Sequence, residues 1–324
     1  MSSVSGDPTP AMGWPSPSDD RFDFPPAHSQ SPPMKRFASL LSALLLAVVL
    51  PRATAAPIKV LLVDGQNNHA WKATSPVIRK ILEDTGRFTV DVATSPLPKT
   101  GAIAGFKPRF ADYQVVVSNY NGEPWSDETK AAFVAFVRNG GGFVSVHAAD
   151  NAFPEWKEYN EMIGVGGWGG RNEKSGPYVV FKDGILLKGT LPGGGGGHGS
   201  QHDFLVVTRE PKHPIVAGLP AEWLHVKDEL YHRLRGPADN LTVLATAFSS
   251  PSQGGTGENE PMLMVTRFGK GRAFHTTLGH SVEAMNCVGA ATVLARGVEW
   301  AATGKVTQKP PADFPTADHT SSRK

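Results

Sequence analysis

Residues 58–64, Ile-Lys-Val-Leu-Leu-Val-Asp, are almost wholly apolar and end at an acid, with Gly65 behind it. A short β-branched run closed by a glycine predicts a strand buried on both faces, as parallel sheets require. Over 75–85 the pattern changes to Val77, Ile78, Ile81 and Leu82, the spacing of an amphipathic helix, with Gly86 as its stop. Residues 88–92 and 113–118 predict the second and third strands. Ser126 followed by Asp127 and Glu128 is a helix start, a capping hydroxyl with acids in the first turn. Ala132, Phe133, Phe136 and Val137 form that helix's apolar stripe, and Asn139 with three glycines ends it. Residues 143–146 are a fourth strand that runs out into His147 and Asp150.

Strand alternating with helix predicts an α/β fold, a mostly parallel sheet with helices on both faces. Ligands of such sheets bind outside the carboxyl ends of the strands, so residues 64–69, 119–122 and 147–150 are expected to converge. Between about 164 and 235 the rhythm breaks. This stretch is glycine-dense, contains five consecutive glycines at 193–197, and offers only short strands at 178–182 and 204–208. It is expected to be a glycine-rich elaboration placed over the site. Strands near 241–245, 262–266 and 271–276 follow, then a closing helix over 284–302.

The ends read differently. Residues 1–33 are rich in Ser, Pro, Gly and Asp without apolar period, which predicts disorder or a start codon placed too early. Met34, Lys35 and Arg36 open a basic segment, followed by an apolar run from Phe37 to Leu50 and small residues to Ala56. That order is a secretory signal over 34–55, with cleavage after Ala55. The apolar run is shorter than the roughly 20 residues that span a bilayer, so no stable membrane span is expected after cleavage. A periplasmic or secreted protein is the result. Residues 305–324, polar and proline-bearing, are expected to form a disordered tail.

Composition narrows the function. With 32 basic and 30 acidic residues the net charge is +2, so charge predicts no nucleic-acid partner. The 35 glycines and 27 prolines exceed the usual share of about 12%, which argues against a bundle of long helices. One cysteine, Cys287, excludes a disulfide framework and a four-cysteine zinc site. Residues 164–169 spell G-x-G-x-x-G but follow a helical stretch, so no nucleotide is expected. Residues 279–283 begin like a nucleophile elbow but end in Glu283 where glycine is required, which argues against a serine hydrolase.

The histidines carry the most chemistry. His69 follows the first strand, His147 the fourth and His280 the last, which brings three imidazoles to one sheet edge. Neutral imidazoles with a carboxylate are usual ligands for Zn or a similar divalent ion. The same groups serve equally as acid and base at a sugar carbon. The cluster from Trp223 to Tyr231 is either an amphipathic strand with solvated acids or a source of Glu229 and Tyr231 turned toward a ligand.

Several ordered segments resemble the ThuA-like, trehalose-utilisation family of the class I glutamine-amidotransferase-like superfamily. They are Asp64-Gly-Gln-Asn-Asn-His69 with Trp71, Gly140 to His147, His213-Pro-Ile215 with Gly218-Leu-Pro220, Asp228-Glu-Leu-Tyr231, and Gly269-Lys-Gly-Arg272 leading to Gly279-His280. The resemblance covers residues 58–304, so the domain is set at 56–304, and it implies a flavodoxin-like fold and a role in carbohydrate catabolism through keto-glycosides made by a partner sugar dehydrogenase. True amidotransferases place a catalytic cysteine after the strand that ends here at Val146. His147 stands there instead, which excludes thiolate-driven glutamine hydrolysis.

The expectation is an exported protein acting on a sugar or keto-glycoside by isomerisation, elimination or hydrolysis. His147, His280, Glu229 and Tyr231 are the candidate catalytic residues. His69, Trp71, Asn119, Asp150 and His202 are candidate substrate contacts. His69, His147 and His280 are candidate ligands for Zn or Mn. Trp71, Trp156 and Trp168 are candidates to stack on a pyranose face. The rival is a carbohydrate-binding or partner protein without catalysis, in which His147 and His280 would be dispensable for sugar binding.

Overall fold

The computed structural model describes residues 56–324, and the readings of 1–33 and 34–55 lie outside the described residues. The chain is a mixed α/β protein built on one large sheet. Strands β1 (Ile58–Asp64), β2 (Phe88–Thr94), β3 (Val115–Ser118), β4 (Gly142–Val146) and β13 (Gly271–Thr276) run parallel in the order β2-β1-β3-β4-β13. Helices α1 (Trp71–Glu83) and α5 (Val288–Thr303) pack on one face and α2 (Asp127–Arg138) and α3 (Lys157–Ile163) on the other. Strand β1 shows why: Val60 and Leu62 join the first layer, Leu61 and Val63 the second, and all four are buried. Each such burial contributes about 1.5–3 kcal/mol, so a strand of this composition is stable only between two layers.

Beyond β13 the sheet becomes antiparallel, continuing as β12 (Asn259–Phe268), β11 (Thr242–Phe248), β8 (His202–Thr208) and β9 (Glu222–Asp228). A hairpin of β5 (Tyr178–Lys182) and β6 (Ile185–Gly189) attaches to β12. The two-residue strands β7 (Gly197–His198) and β10 (Tyr231–His232) pair with each other.

Ser126 caps α2 by accepting from Thr129 N at 3.2 Å, with Asp127 and Glu128 in the first turn. Helix α1 starts four residues before the expected Ser75, although Pro76 lies inside it. The added turn is held from outside, where Asn119 Nδ2 donates to Thr74 Oγ1 and Ser75 Oγ, each at 3.0 Å. The closing helix is divided into α4 (Val282–Asn286) and α5, with Cys287 extended between them.

Residues 305–324 do not form the disordered tail expected from their composition. Leu224 N on edge strand β9 donates to Thr316 O, Val288 N donates to Ser321 O, and Arg323 N donates to Asn286 O. Phe314 packs on Trp223 and Arg323 pairs with Asp84. A polar segment orders here because it satisfies an open sheet edge and the break between two helices.

Candidate functional site

The carboxyl ends of the parallel strands deliver the site. His69 lies in the loop after β1, His147 follows β4, and His280 follows β13, while Glu229 enters from the turn after β9. One ligand atom from each of these four residues lies within 4.8 Å of the others. Glu229 Oε2 is 3.0 Å from His280 Nδ1, 3.5 Å from His69 Nε2 and 3.6 Å from His147 Nε2. The three rings stand nearly perpendicular to one another, with interplanar angles of 79°, 88° and 82°, so three lone pairs converge without stacking.

Each ring is aimed by its far side. His147 Nδ1 donates to Thr277 O at 2.6 Å, which turns Nε2 toward Glu229. His69 Nδ1 is 3.3 Å from Asn67 Oδ1 and 3.2 Å from Asn68 Oδ1, and both are acceptors, so its Nε2 carries the lone pair. This is the usual outer support of metal-bound imidazoles. His147 Nε2 is buried and has no hydrogen-bond partner, and the buried His280 Nδ1 has only the Glu229 carboxylate beside it, at 3.0 Å and poorly aligned for a hydrogen bond, a costly condition for imidazole nitrogens unless something else engages them. His147 also sits at φ +46, left-handed backbone for a non-glycine residue at the point where β4 turns into the site.

Electrostatics follows the geometry. Burial pushes the Glu229 carboxyl up, but the imidazoles of His147, His280 and His69 outweigh it and hold Glu229 ionised, well below the usual carboxylate range. Burial lowers His69, only partly offset by Glu229. For His147 burial is outweighed by Glu229 and Asp228, and its pKa is raised.

Asp228 fastens two of the four together. Its Oδ1 accepts from Glu229 N at 2.8 Å and His280 N at 3.0 Å, and its Oδ2 accepts from Gly279 N at 2.8 Å. The same Oδ2 is 2.8 Å from His225 Nε2. Asp228 and His225 are fully buried and were not among the expected site residues; a histidine at an inward strand position beside an acid was the available signal.

A cavity of about 370 Å³ opens beside the set. His69 and Glu229 of the set line it together with Asn68, Asn121 and Asn151 and with Trp168, His198 and Tyr231. Tyr231 is buried against His147, ring centroids 4.2 Å apart, and so both lines the cavity and supports a ring of the set. His198 Nδ1 donates to Gly199 O at 2.8 Å, leaving Nε2 facing Glu229 Oε1 at 3.7 Å.

Four expected substrate contacts are placed otherwise. Asn119 is buried and spends its side chain on Thr74, Ser75 and Asn67, so it holds the His69 loop and has nothing left for a ligand. Asp150 is buried and pairs with His275 Nε2 at 3.1 Å. Trp71 begins α1, half-buried, with Lys72 over its ring, and does not line the cavity. His202 lies on β8 with Nδ1 bonded to Ser200 O, also off the cavity. Trp156 is buried in an aromatic cluster with Trp125 and Tyr159, so of the three stacking candidates only Trp168 reaches the cavity.

The fold and these side chains define an α/β protein whose strand ends carry three histidines on one glutamate. Residues 59–301 match the ThuA family, described as trehalose utilisation, and the chain belongs to that family. It is 49% identical to a ThuA-like protein from Parabacteroides merdae ATCC 43184, covering 83% of this chain and 98% of that one with a TM-score of 0.81. A ThuA-like protein from Bacteroides uniformis ATCC 8492 shares the fold at 18% identity, covering 81% and 98% with a TM-score of 0.54. No curated protein matches this chain. Among the described residues no helix is long and apolar enough to cross a membrane.

Proposed function

We propose that this ThuA-family protein processes a sugar or keto-glycoside, with His69, His147, Glu229 and His280 holding a divalent ion such as Zn or Mn. The carrying observation is the set itself: four ligand atoms within 4.8 Å, two of them buried ring nitrogens that make no well-aligned hydrogen bond. Three imidazoles and one carboxylate are a donor set suited to first-row divalent metals. A bound ion there would polarise a sugar carbonyl or hydroxyl. The protein's own groups then have distinct tasks. His147 and His280 orient the reacting oxygen, Glu229 keeps the set charge-balanced, and Tyr231 fixes the His147 ring and presents a hydroxyl to the ligand. His198 lines the cavity with its Nε2 3.7 Å from Glu229 Oε1, and in this reading it takes a proton from a carbon beside the carbonyl.

The wider proposal has three parts. The strand order β2-β1-β3-β4-β13 supports a flavodoxin-like core, with the glycine-rich 164–235 segment as its cover. Residues 34–55 support export to the periplasm or beyond. A keto-sugar substrate calls for a partner dehydrogenase that oxidises the sugar first.

Elemental analysis of the tag-free mature protein, grown and purified with Zn and Mn supplied, tests the reading. The expected result is about one equivalent of metal, lost in His147→Ala and in His280→Ala. A metal-free wild type sinks the ion and leaves acid–base chemistry by the same side chains.

A further inference from the structure

We infer that β6 is an interface strand, which pairs antiparallel with β6 of a second copy of this chain about a two-fold axis at Leu187 and so joins two β5–β6 hairpins into one four-stranded ribbon. The inference is independent of the metal and of the sugar, since no residue of β6 lines the cavity.

One side of β6 is open. The strand pairs with β5 and, among the described residues, with no other strand. Its turn fixes which groups face outward. Lys182 pairs with Ile185 across Asp183 and Gly184, at φ +50 and +82, the left-handed backbone of a two-residue type I′ connection. In such a hairpin the pair beside the turn exchanges both backbone hydrogen bonds, and so does every second pair after it. Ile185, Leu187 and Gly189 thus spend their N–H and C=O groups on β5, while Leu186 and Lys188 offer theirs to the open edge.

Natural proteins guard such an edge with charges, a proline or a bulge. β6 carries no proline, and its pairing with β5 runs without a register shift. Its one charge, Lys188, is turned inward, donating from Nζ to Ala238 O of its own protomer. The solvent-facing side chains are apolar: Ile185 is 58% exposed, Leu187 38%, and Leu191 just beyond the strand 79%. An unguarded apolar edge is a template for another strand.

The strand that fits this edge is β6 itself. Pairing about Leu187 sets Leu186 of each copy against Lys188 of the other, so the outward backbone groups satisfy one another. Leu187 meets its own counterpart in the close, non-hydrogen-bonded position, in line with Val180 of each hairpin. Ile185 meets Gly189 of the second copy. A side chain on Gly189 would meet nothing nearer than the Tyr178 ring, 3.7 Å from its Cβ, and its backbone is not in the left-handed region, so nothing within one protomer calls for glycine there. The gap receives the Ile185 side chain against Tyr178. No like charges oppose each other, and every contact occurs twice, as a two-fold interface requires. The turn at 183–184 and Pro192 confine the edge to about the length of β6.

Sedimentation velocity on the tag-free mature protein over a dilution series tests this, and a monomer–dimer equilibrium is expected. Leu187→Lys places two like charges against each other on the axis and is expected to weaken the dimer by about tenfold or more, with the thermal midpoint of the dilute protein unchanged. Leu187→Cys reads the register. Non-hydrogen-bonded partners lie about 4.5 Å apart at Cα, within disulfide reach, and the native Cys287 is buried. Oxidised glutathione should convert Leu187→Cys to a covalent dimer and leave Ile185→Cys, which faces Gly189, uncrosslinked. A wild type that stays monomeric, a dimer indifferent to Leu187→Lys, or crosslinking of Ile185→Cys as readily as Leu187→Cys overturns the inference.

Discussion

Two histidine–carboxylate constellations lie at the carboxyl ends of the same parallel strands, and they are built to opposite ends. At Asp150 one imidazole meets one carboxylate: His275 Nε2 is bonded to Asp150 and its Nδ1 is 3.1 Å from Ile163 O, so both ring nitrogens are occupied and both side chains are buried. At Glu229 three imidazoles share one carboxylate, two buried ring nitrogens make no well-aligned hydrogen bond, and a cavity adjoins them. Residue type is the same in both places. What separates a structural pair from a candidate ligand set is stoichiometry and the convergence of ring nitrogens on one oxygen.

The sharpest way to break this contrast is to neutralise each carboxylate in turn. Glu229→Gln removes the only negative charge among the four ligands and is expected to lower metal affinity by roughly a hundredfold or more, with little loss of thermal stability. Asp150→Asn is expected to do the reverse, destabilising the fold by about 1–3 kcal/mol with metal content unchanged. Chelator competition and thermal denaturation on both variants read the two effects separately. Metal loss in Asp150→Asn, or its retention in Glu229→Gln, would erase the distinction.

This contrast also separates what was legible in the sequence from what was not. His69, His147 and His280 could be placed because each follows a strand whose apolar run is self-evident, and strand ends of a parallel sheet meet. Asp150 and Asn119 stand at those same ends, yet each is captured by a partner that no local pattern reveals: His275, 125 residues on, and Thr74 with Ser75 on the opposite helix. Strand β9 was ambiguous for a related reason. His225 occupies an inward position but reads as polar, and it is buried because Asp228 meets it three residues later. His198 and Asn151 reach the cavity from a two-residue strand at the end of a glycine run and from a 3-10 turn, where periodicity carries no signal.

Asp228 belongs to both worlds, since it is a buried pair with His225 that also holds the turns of Glu229 and His280. Burial would lower the His225 pKa, but the adjacent Asp228 outweighs it and lifts it to about 9. A histidine raised in the folded state contributes stability that is complete below its unfolded value of about 6.5 and is lost as pH rises through the folded one. The wild type should therefore lose up to about 3 kcal/mol between pH 6.5 and 9. Denaturation midpoints across that window should fall in the wild type and stay nearly level in His225→Gln. A level wild-type profile would show that the pair does not carry the charge.

The smallest effect expected is at the far edge of the sheet. There the antiparallel strand β9 carries Glu229 at its exit and is covered by the C-terminal segment rather than by another strand. Phe314 packs edge-on against the fully buried Trp223, with centroids 5.6 Å apart, and Thr316 O accepts the edge hydrogen bond of Leu224. Phe314→Ala removes the ring contact but leaves the backbone bond, so the expected cost is about 1–2 kcal/mol. Metal content should not change, because Glu229 is held through Asp228 to Gly279 and His280, not through the tail. Unchanged stability would mean that composition read residues 305–324 correctly. A drop in metal content would instead tie the edge of the sheet to the site and make the tail part of what positions Glu229.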